Sequence, residues 1–260
     1  MPPVAGVGAS SAVLRTGAKP PVVVLACKVL QTALARLLPP DLAETVTFLD
    51  YGLHRVPAKL THALQEALDA IAAPSLVVLG YGLCGNGLRG LRAGPHTLLI
   101  PRTDDCIAIL LGSNKMYMRQ FGAVPGTYNL TKGWLESGSN PLQEYNEYVV
   151  KYGPKDAAWL MDQQYQHYER VVLVAPNQAE MDAYRGQAQE VARFCERWGW
   201  RYEEVLGSDD YVQRLIEAAA ALGDHHQPPD WLNIACPAFP GTDFVVIPPG
   251  GEIRQEMFLR

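Results

Sequence analysis

Three cysteines, Cys27, Cys84 and Cys106, are the residues of this 260-residue chain with the clearest capacity for chemistry. Each comes shortly after a run of apolar residues that is typical of a buried strand, and His54 follows another such run. Thiolates and imidazole bind zinc, and thiolates also hold iron–sulfur clusters. Three cysteines with one histidine would close a structural zinc site. Three protein ligands with an open fourth position would make a catalytic one.

The order of the predicted elements explains why these side chains should meet. Apolar runs predict strands at 22–26, 45–49, 76–79 and 97–100, with helical patterns at 29–38 and after Pro57. Such alternation predicts a parallel sheet, whose strands all end at one edge. We therefore expect Cys27, His54, Cys84 and Cys106 to converge there and to bind zinc or an iron–sulfur cluster. The alternative is that each cysteine is a small buried residue at a strand end.

The second part of the chain resumes the same alternation. Strands are predicted at 171–175, 202–206 and 244–247, with helices at 179–198 and 211–222. The predicted fold class is α/β: two parallel-sheet, Rossmann-like halves with helices on both faces, joined by a helical segment in which no strand is predicted. The predicted divisions are a flexible N-terminus at 1–20, a cysteine-bearing half at 21–112, the linking segment at 113–168 and a C-terminal half at 169–260.

A glycine-rich loop follows the third predicted strand. Gly80, Gly82 and Gly85 match the G-x-G-x-x-G pattern of dinucleotide-binding proteins, and Asp104 follows about 20 residues later. The stretch after the loop is short for a helix, and the loop does not follow the first strand, so a nucleotide-dependent oxidoreductase ranks last. The other interpretations are a tight turn and a nest of N–H groups for a substrate anion. The substrate-binding residues of that nest would be Gly82, Gly85, Asn86 and Gly87.

Four further residues are candidates for catalysis: Asp104, Asp105, Tyr128 and Lys132. The two aspartates precede a predicted helix, so both helix capping and a role as ligand or general base are open. Tyr128 and Lys132 lie in a Gly- and Pro-bounded loop at 125–134. Such a loop is either a lid that closes over a substrate or a packed connection between the halves.

Composition and charge exclude several classes of protein. Hydrophobic residues make up 48% of the chain and charged residues 19%, which is the balance of a folded protein and not of a disordered one. The net charge of −5 does not indicate the basic surface that binds nucleic acid. No run approaches the roughly 18 apolar residues that a membrane helix needs. With an odd cysteine count and no secretory leader pattern, we expect a cytoplasmic protein with reduced thiols.

Five segments together carry a family resemblance. They are Ala26-Cys27-Lys28-Val29-Leu30, Leu49-Asp50-Tyr51-Gly52-Leu53-His54, Gly80-Tyr81-Gly82-Leu83-Cys84-Gly85-Asn86-Gly87, Pro101-Arg102-Thr103-Asp104-Asp105-Cys106 and Pro125-Gly126-Thr127-Tyr128. They resemble a bacterial and archaeal family labelled domain of unknown function 1638. The label implies no activity. The resemblance implies a context of one-carbon or methylamine metabolism beside corrinoid-dependent methyltransferases. The chain has no D-x-H-x-x-G stretch, so it does not resemble a corrinoid carrier itself.

Two main hypotheses for the function result. The first is an enzyme whose metal activates a small thiol or amine substrate for methyl or related group transfer. Its loop at 80–87 would hold an anionic end of the substrate, and Tyr128 and Lys132 would close over it. The second is a non-enzymatic accessory protein that delivers metal or cofactor to a corrinoid methyltransferase. An enzyme needs an open ligand position inside a cleft, whereas a delivery protein needs an exposed site and an apolar docking patch.

Overall fold

The structure, a computed structural model, describes residues 19–224 and 243–259, which form strands in two sheets with helices around them. The strands are β1 (Val22–Cys27), β2 (Thr45–Leu49), β3 (Leu76–Gly80), β4 (Thr97–Pro101), β5 (Thr127–Leu130), β6 (Arg170–Ala175), β7 (Arg201–Leu206) and β8 (Phe244–Ile247). The helices are α1 (Gln31–Leu37), α2 (Pro57–Asp69), α3 (Cys106–Leu110), α4 (Asn114–Ala123), α5 (Lys132–Glu136), α6 (Pro141–Tyr152), α7 (Pro154–Tyr165), α8 (Gln178–Cys195) and α9 (Asp210–Asp224). Short 3₁₀ helices lie at Lys28–Leu30, Tyr51–Arg55, Glu196–Trp198 and Gln255–Met257. No helix within the described ranges is both long and apolar enough to cross a membrane.

The first sheet has the strand order β2-β1-β3-β4-β8, and its first four strands along the chain are parallel. β1, β3 and β4 are apolar and almost wholly buried, as expected for strands covered on both faces. Ala26 on β1 lies opposite Gly80 on β3, where a Cβ on the glycine would come within 2.6 Å of the alanine Cβ. The absence of that Cβ lets β1 and β3 end side by side at the carboxyl edge.

The last strand differs from the expectation. The sequence predicts β8 as a strand of the C-terminal half, but it lies in the first sheet and runs antiparallel to β4, with Leu98 opposite Ile247. All four residues of β8 are buried, as their apolar pattern indicates. A run of buried residues does not, however, specify which strand it will pair with. In this position β8 covers what would otherwise be an open edge of the sheet.

The second sheet has the order β5-β6-β7 and is parallel throughout. Its first strand, β5, lies inside the segment for which no strand was predicted, so that expectation is wrong for these four residues. Three of them are only half-buried and one is Asn129, so the segment lacks the apolar run that identifies a buried strand. These residues form a strand because they pair with β6, where Tyr128 lies opposite Val171.

Alternate residues of β6 pack into two separate cores. Val172 and Val174 belong to the core of the first sheet, whereas Val171 and Leu173 belong to a second core on the other face. This division follows from the two-residue period of a strand. α9 also contacts α1 and β3, although it follows β7 in the chain. Two elements of the predicted C-terminal half, 169–260, therefore belong with the first sheet. β8 joins it as a strand, and α9 packs against it.

Candidate functional site

A cavity of about 230 Å³ lies at the carboxyl edge of the first sheet. Its walls come from the residues that follow β1 to β4, with contributions from α2 and α5. The lining residues are Cys27, Val29, Asp50, Tyr51, His54, Leu60, Tyr81, Cys84, Gly85, Asp105, Cys106 and Trp134. This is the position at which open α/β sheets bind ligands. The structure thus brings the three predicted cysteines and His54 to one cavity.

The cysteine sulfurs form the chemical centre of this cavity. The Sγ atoms of Cys84 and Cys106 lie 3.8 Å apart. Cys27 and Cys106 are only 8% and 7% exposed, and Cys84 is half-buried. Each of the three is a free thiol. Cys195, also a free thiol, lies away from them in the second core.

Cys84 reaches the cavity from an unusual backbone conformation. Its φ is +49°, and Gly85 and Asn86 follow with φ of +63° and +70°. A left-handed conformation costs a residue that carries a side chain roughly 1–2 kcal/mol. The Cys84 N–H donates a 2.8 Å hydrogen bond to the Asp104 carbonyl, which holds this loop against the end of β4. Backbone strain of this kind is characteristic of functional sites, and here it accompanies the placement of a thiol.

Contacts among the three thiols shift their pKa values in opposite directions. Interactions with Cys27 and Cys84, and a hydrogen bond from the Gly82 N–H, lower the pKa of Cys106 well below its ordinary value, although burial opposes the shift. The same interaction with Cys106, together with burial, raises the pKa of Cys27 and of Cys84. Of the three thiols, Cys106 is therefore the one that loses its proton most readily.

His54 faces the cavity as a neutral imidazole. Burial lowers its pKa below the ordinary value, and its ring stacks on Trp134 with centroids 4.4 Å apart. Tyr51 forms an adjoining wall, and its hydroxyl donates a 2.6 Å hydrogen bond to Glu136 Oε2. A neutral imidazole serves either as a metal ligand or as a proton acceptor.

Asp105 separates the cysteine cavity from a second cavity of about 260 Å³ and lines both. Its Oδ1 accepts a 2.9 Å hydrogen bond from the Ile107 N–H, which caps α3, and its Oδ2 accepts a 3.4 Å hydrogen bond from the Tyr117 hydroxyl. Burial and, next, the neighbouring Cys106 raise the pKa of Asp105 to about 6. Asp104 is exposed and does not line the cavity. Asp105, and not Asp104, therefore caps α3.

One family profile, described as "Protein of unknown function (DUF1638)", matches residues 48–216. The chain belongs to this family. The match spans well over half of the chain and includes His54, Cys84, Cys106 and Trp134, whereas Cys27 lies before it. No curated protein and no solved structure matches the chain.

Two of the predicted catalytic residues of this DUF1638 protein do not reach the cysteine cavity. Tyr128 lies on β5, and its ring packs against Tyr165 and Trp200 in the second core. The Lys132 Nζ donates a 3.1 Å hydrogen bond to the Thr32 hydroxyl on α1. The segment expected to be a lid or a packed connection is a strand followed by the short helix α5, and α5 supplies one tryptophan to the cavity wall.

The predicted substrate nest is a closely packed loop. A Cβ at Gly82 would lie 2.7 Å from the backbone of the β4–α3 connection, and one at Gly87 would lie 2.7 Å from Leu60. Gly85 lines the cavity, whereas Asn86 is exposed. No helix follows this loop before β4 begins. The helix N-terminus on which a dinucleotide pyrophosphate normally sits is therefore missing from residues 81–96.

Three aromatic residues of the cavity were not assigned to the site from sequence: Tyr51, Tyr81 and Trp134. Tyr51 and Tyr81 come directly after the ends of β2 and β3, so the strand-end argument that selected the cysteines also applies to them. Trp134 comes from α5, beside the second sheet, and no local pattern indicates that it crosses to the first.

The described residues contain no group of three or more His, Cys, Asp or Glu side chains already arranged around one metal position. The cysteine cavity nevertheless has two sulfurs in contact, and Cys27 interacts with Cys106. Two thiolates bound to one tetrahedral zinc ion at about 2.3 Å each lie about 3.8 Å apart. The separation of the Cys84 and Cys106 sulfurs thus fits this edge of a zinc–thiolate tetrahedron.

Proposed function

We propose that the cavity binds a thiophilic metal, zinc or the iron of an iron–sulfur cluster, through Cys27, Cys84 and Cys106. The observation that carries the proposal is the meeting of three cysteines from three strand ends in one cavity, with two sulfurs 3.8 Å apart. Sulfur ligands favour zinc, copper(I) and iron over magnesium or calcium. Three such ligands on separate loops become a metal site once the side chains close around the ion.

The charge in the cavity supports the binding of a cation. Cys106 has a lowered pKa, Asp50 and Asp105 add carboxyl groups, and none of the lining residues is a lysine or an arginine. A buried anionic group is costly without a counter-charge. A divalent metal would supply that charge, and its binding would make Cys27 and Cys84 release their protons.

His54 has two possible places in this proposal. As a fourth ligand it would close the site, and as a free base it would leave the fourth metal position open for a substrate. Its neutral imidazole suits both roles, because a ligand and a proton acceptor both need an unprotonated nitrogen. The His54→Ala variant distinguishes them: loss of metal indicates a ligand, whereas retained metal indicates a base.

We further propose that the protein is an enzyme of methyl or related one-carbon transfer, which is the context that the family resemblance implies. A bound metal lowers the pKa of a substrate thiol or amine and so supplies a nucleophile near neutral pH. The substrate sulfur or nitrogen would give up its proton to the His54 imidazole, where that residue is free of the metal, or otherwise to solvent, and form the new bond to the methyl carbon. The bond between methyl and its donor breaks, and its electron pair stays on the donor. A corrinoid methyltransferase system is the proposed source of the methyl group.

Burial of the cysteines favours an enzyme over a delivery protein. Cys27 and Cys106 are more than nine-tenths buried, and the aromatic walls formed by Tyr51 and Trp134 stand beside them. A protein that delivers metal to a partner must present its ligands at the surface. A buried site instead excludes water from a reacting thiolate, which suits catalysis.

Metal analysis of anaerobically purified protein tests the site. The wild type should carry close to one equivalent of zinc, or an iron–sulfur cluster with its brown colour. Cys84→Ala and Cys106→Ala should each lower metal affinity by roughly a hundredfold or more, because even residues that only support a ligand contribute 10- to 100-fold. Cys195→Ala is the matched control, since it removes a buried free thiol from the second core and should keep the metal.

Two outcomes would exclude the proposal. Wild-type protein that stays metal-free after anaerobic purification and after addition of zinc has no metal site. For the reaction, the wild type and Cys106→Ala are incubated with methylcobalamin and a small thiol, and the thioether product is measured. Equal product in the two proteins would show that the cavity does not catalyse the transfer.

A further inference from the structure

The hydroxyl of Tyr81 is a buried polar group that the described residues, 19–224 and 243–259, leave without a partner. Tyr81 directly follows β3, is only 2% exposed and lines the cysteine cavity. Its hydroxyl makes no hydrogen bond with any of the described residues. Nearly all buried hydroxyls in proteins are hydrogen-bonded, because an unsatisfied one lowers stability. A phenol in this state on a cavity wall indicates that a bound molecule supplies the missing hydrogen-bond partner.

Neighbouring tyrosines do not share this property. The Tyr51 hydroxyl, on the same cavity, donates to Glu136 at 2.6 Å, and the Tyr117 hydroxyl donates to Asp105 at 3.4 Å. Burial and the nearby Cys27, Cys106 and Cys84 sulfurs raise the pKa of Tyr81. The phenol therefore keeps its proton and is available as a hydrogen-bond donor.

The rest of the cavity limits what that donor can meet. Its titratable groups are three cysteine thiols, the carboxyls of Asp50 and Asp105, two tyrosines and His54, and no lining residue is a lysine or an arginine. With a divalent metal bound to three thiolates the site keeps a net negative charge that no lysine or arginine of the lining offsets, so an anionic substrate would be repelled. A volume of about 230 Å³ has room for roughly eight water-sized groups. Val29 and Leu60 make part of the wall apolar.

We propose that Tyr81 is a specificity-determining residue, whose hydroxyl donates a hydrogen bond to an uncharged oxygen of a small thiol or amine substrate. This inference rests on the proposed function, because the thiol or amine is the group that the metal would activate. It replaces the anionic end expected from the sequence with a hydroxyl or carbonyl oxygen. A buried donor discriminates strongly, since a substrate analogue without the acceptor leaves the donor unpaired.

Two thiols of equal size test the inference. 2-Mercaptoethanol carries a hydroxyl where 1-propanethiol carries a methyl group, and the affinities of both are measured by calorimetry on wild type and on Tyr81→Phe. Metal content is determined in the same samples. The ratio of the two affinities should fall about three- to tenfold in Tyr81→Phe, because one hydrogen bond to the hydroxyl is lost. Thioglycolate, the carboxylate analogue, should bind less tightly than 2-mercaptoethanol to the wild type.

Tyr165→Phe is the matched control. It removes a buried hydroxyl that donates to Glu144 in the second core, so it should lower the melting temperature and leave the ratio of thiol affinities unchanged. Tyr81→Phe should keep or raise the melting temperature, because no bond within the protein is lost. A Tyr81→Phe variant that fails to fold, or that is destabilised as much as Tyr165→Phe, would show a structural hydroxyl and overturn the inference.

The remaining outcomes separate this inference from the proposed function. Metal-loaded wild type and Tyr81→Phe with the same ratio of affinities would overturn the role of Tyr81 alone. Thioglycolate binding more tightly than 2-mercaptoethanol would overturn the uncharged substrate class. Wild type without metal would overturn the proposed function and, with it, the inference that rests on it.

Discussion

The parallel strands of the two sheets end at equivalent edges, but these edges carry different chemistry. The edge of the first sheet directs sulfur and imidazole groups into a cavity. At the edge of the second sheet, Asp209 after β7 pairs with Arg36 on α1, and Lys132 after β5 donates to Thr32 on the same helix. The side chains at one edge thus line a cavity, whereas those at the other form bonds to α1. A position at a strand end therefore identifies candidate residues, but it does not by itself show that they form a site.

The cores behind these edges differ as well. The first core consists mainly of aliphatic residues, whereas the second combines aliphatic residues with a cluster of packed aromatic rings that includes Tyr165, Trp198 and Trp200. Edge-to-face and offset ring pairs each add stability beyond the area they bury. We therefore expect substitutions in the second region to change stability and substitutions at the first edge to change binding.

The largest expected effect belongs to Trp200→Ala. Trp200 is buried and packs against Tyr128 and Tyr165, so its truncation should lower the free energy of unfolding by about 3–5 kcal/mol. Metal content per folded molecule should not change. Trp134→Ala, in the half-buried cavity wall, is the matched partner: it should cost less stability and weaken thiol binding instead. Urea denaturation and metal analysis measure both quantities, and the reverse result for the two tryptophans would break the comparison.

Metal removal should act on the first edge alone. At free zinc about 100 times the Kd, chelation should lower the free energy of unfolding by about 2.7 kcal/mol, because zinc binds only the folded state. Hydrogen exchange should accelerate in the loops at 81–86 and 103–106 and remain slow in β6. Equal acceleration in both sheets would contradict a site that is confined to the first.

The smallest expected effect concerns Glu136, which connects the two regions. Its carboxylate accepts hydrogen bonds from Tyr51 at the cavity wall and from Tyr184 on α8. Burial opposes the shift, but these bonds lower the pKa of Glu136 below its ordinary value of 4.5. A carboxylate with a lowered pKa stabilises the fold above the unfolded pKa and loses this contribution as the pH falls through the folded one.

Glu136→Gln should therefore lower the free energy of unfolding at pH 7 by about 1 kcal/mol, a value reduced by the exposure of the carboxylate. The difference between variant and wild type should shrink as the pH falls below 4.5 and through the lowered pKa of the folded carboxyl. Denaturation at several pH values measures this difference in the free energy of unfolding. A difference that does not depend on pH would show that the substitution acts through side-chain packing and not through the loss of charge.

The cysteine cavity shows how far sequence reasoning reaches. β1, β3 and β4 are continuous apolar runs, and parallel strands share one carboxyl edge, so the approach of Cys27, Cys84 and Cys106 could be predicted from local patterns and topology. Their role as metal ligands stays a prediction. Tyr81 was available to the same argument, but its missing partner becomes visible only once every neighbouring acceptor is in place.

Other features depend on pairing that no local pattern encodes. β5 is a strand because β6 lies beside it, and β8 belongs to the first sheet because β4 has a free edge there. Tyr128 and Lys132 were chosen as candidates because their segment was taken for a loop. Once the segment is a strand and a short helix, period-two alternation and the contact with α1 turn these two side chains away from the cavity.

The position of β8 has a consequence for biosynthesis. All strands of the second sheet lie between residues 127 and 206, so this sheet is complete on the ribosome before the first one. The first sheet waits for β8, about 40 residues later, which at roughly 5–20 residues per second takes roughly 2–8 s. During that interval β4 keeps an unpaired edge, and unpaired edges favour association between nascent chains. The half of the molecule that carries the cysteines is therefore translated first and finished last.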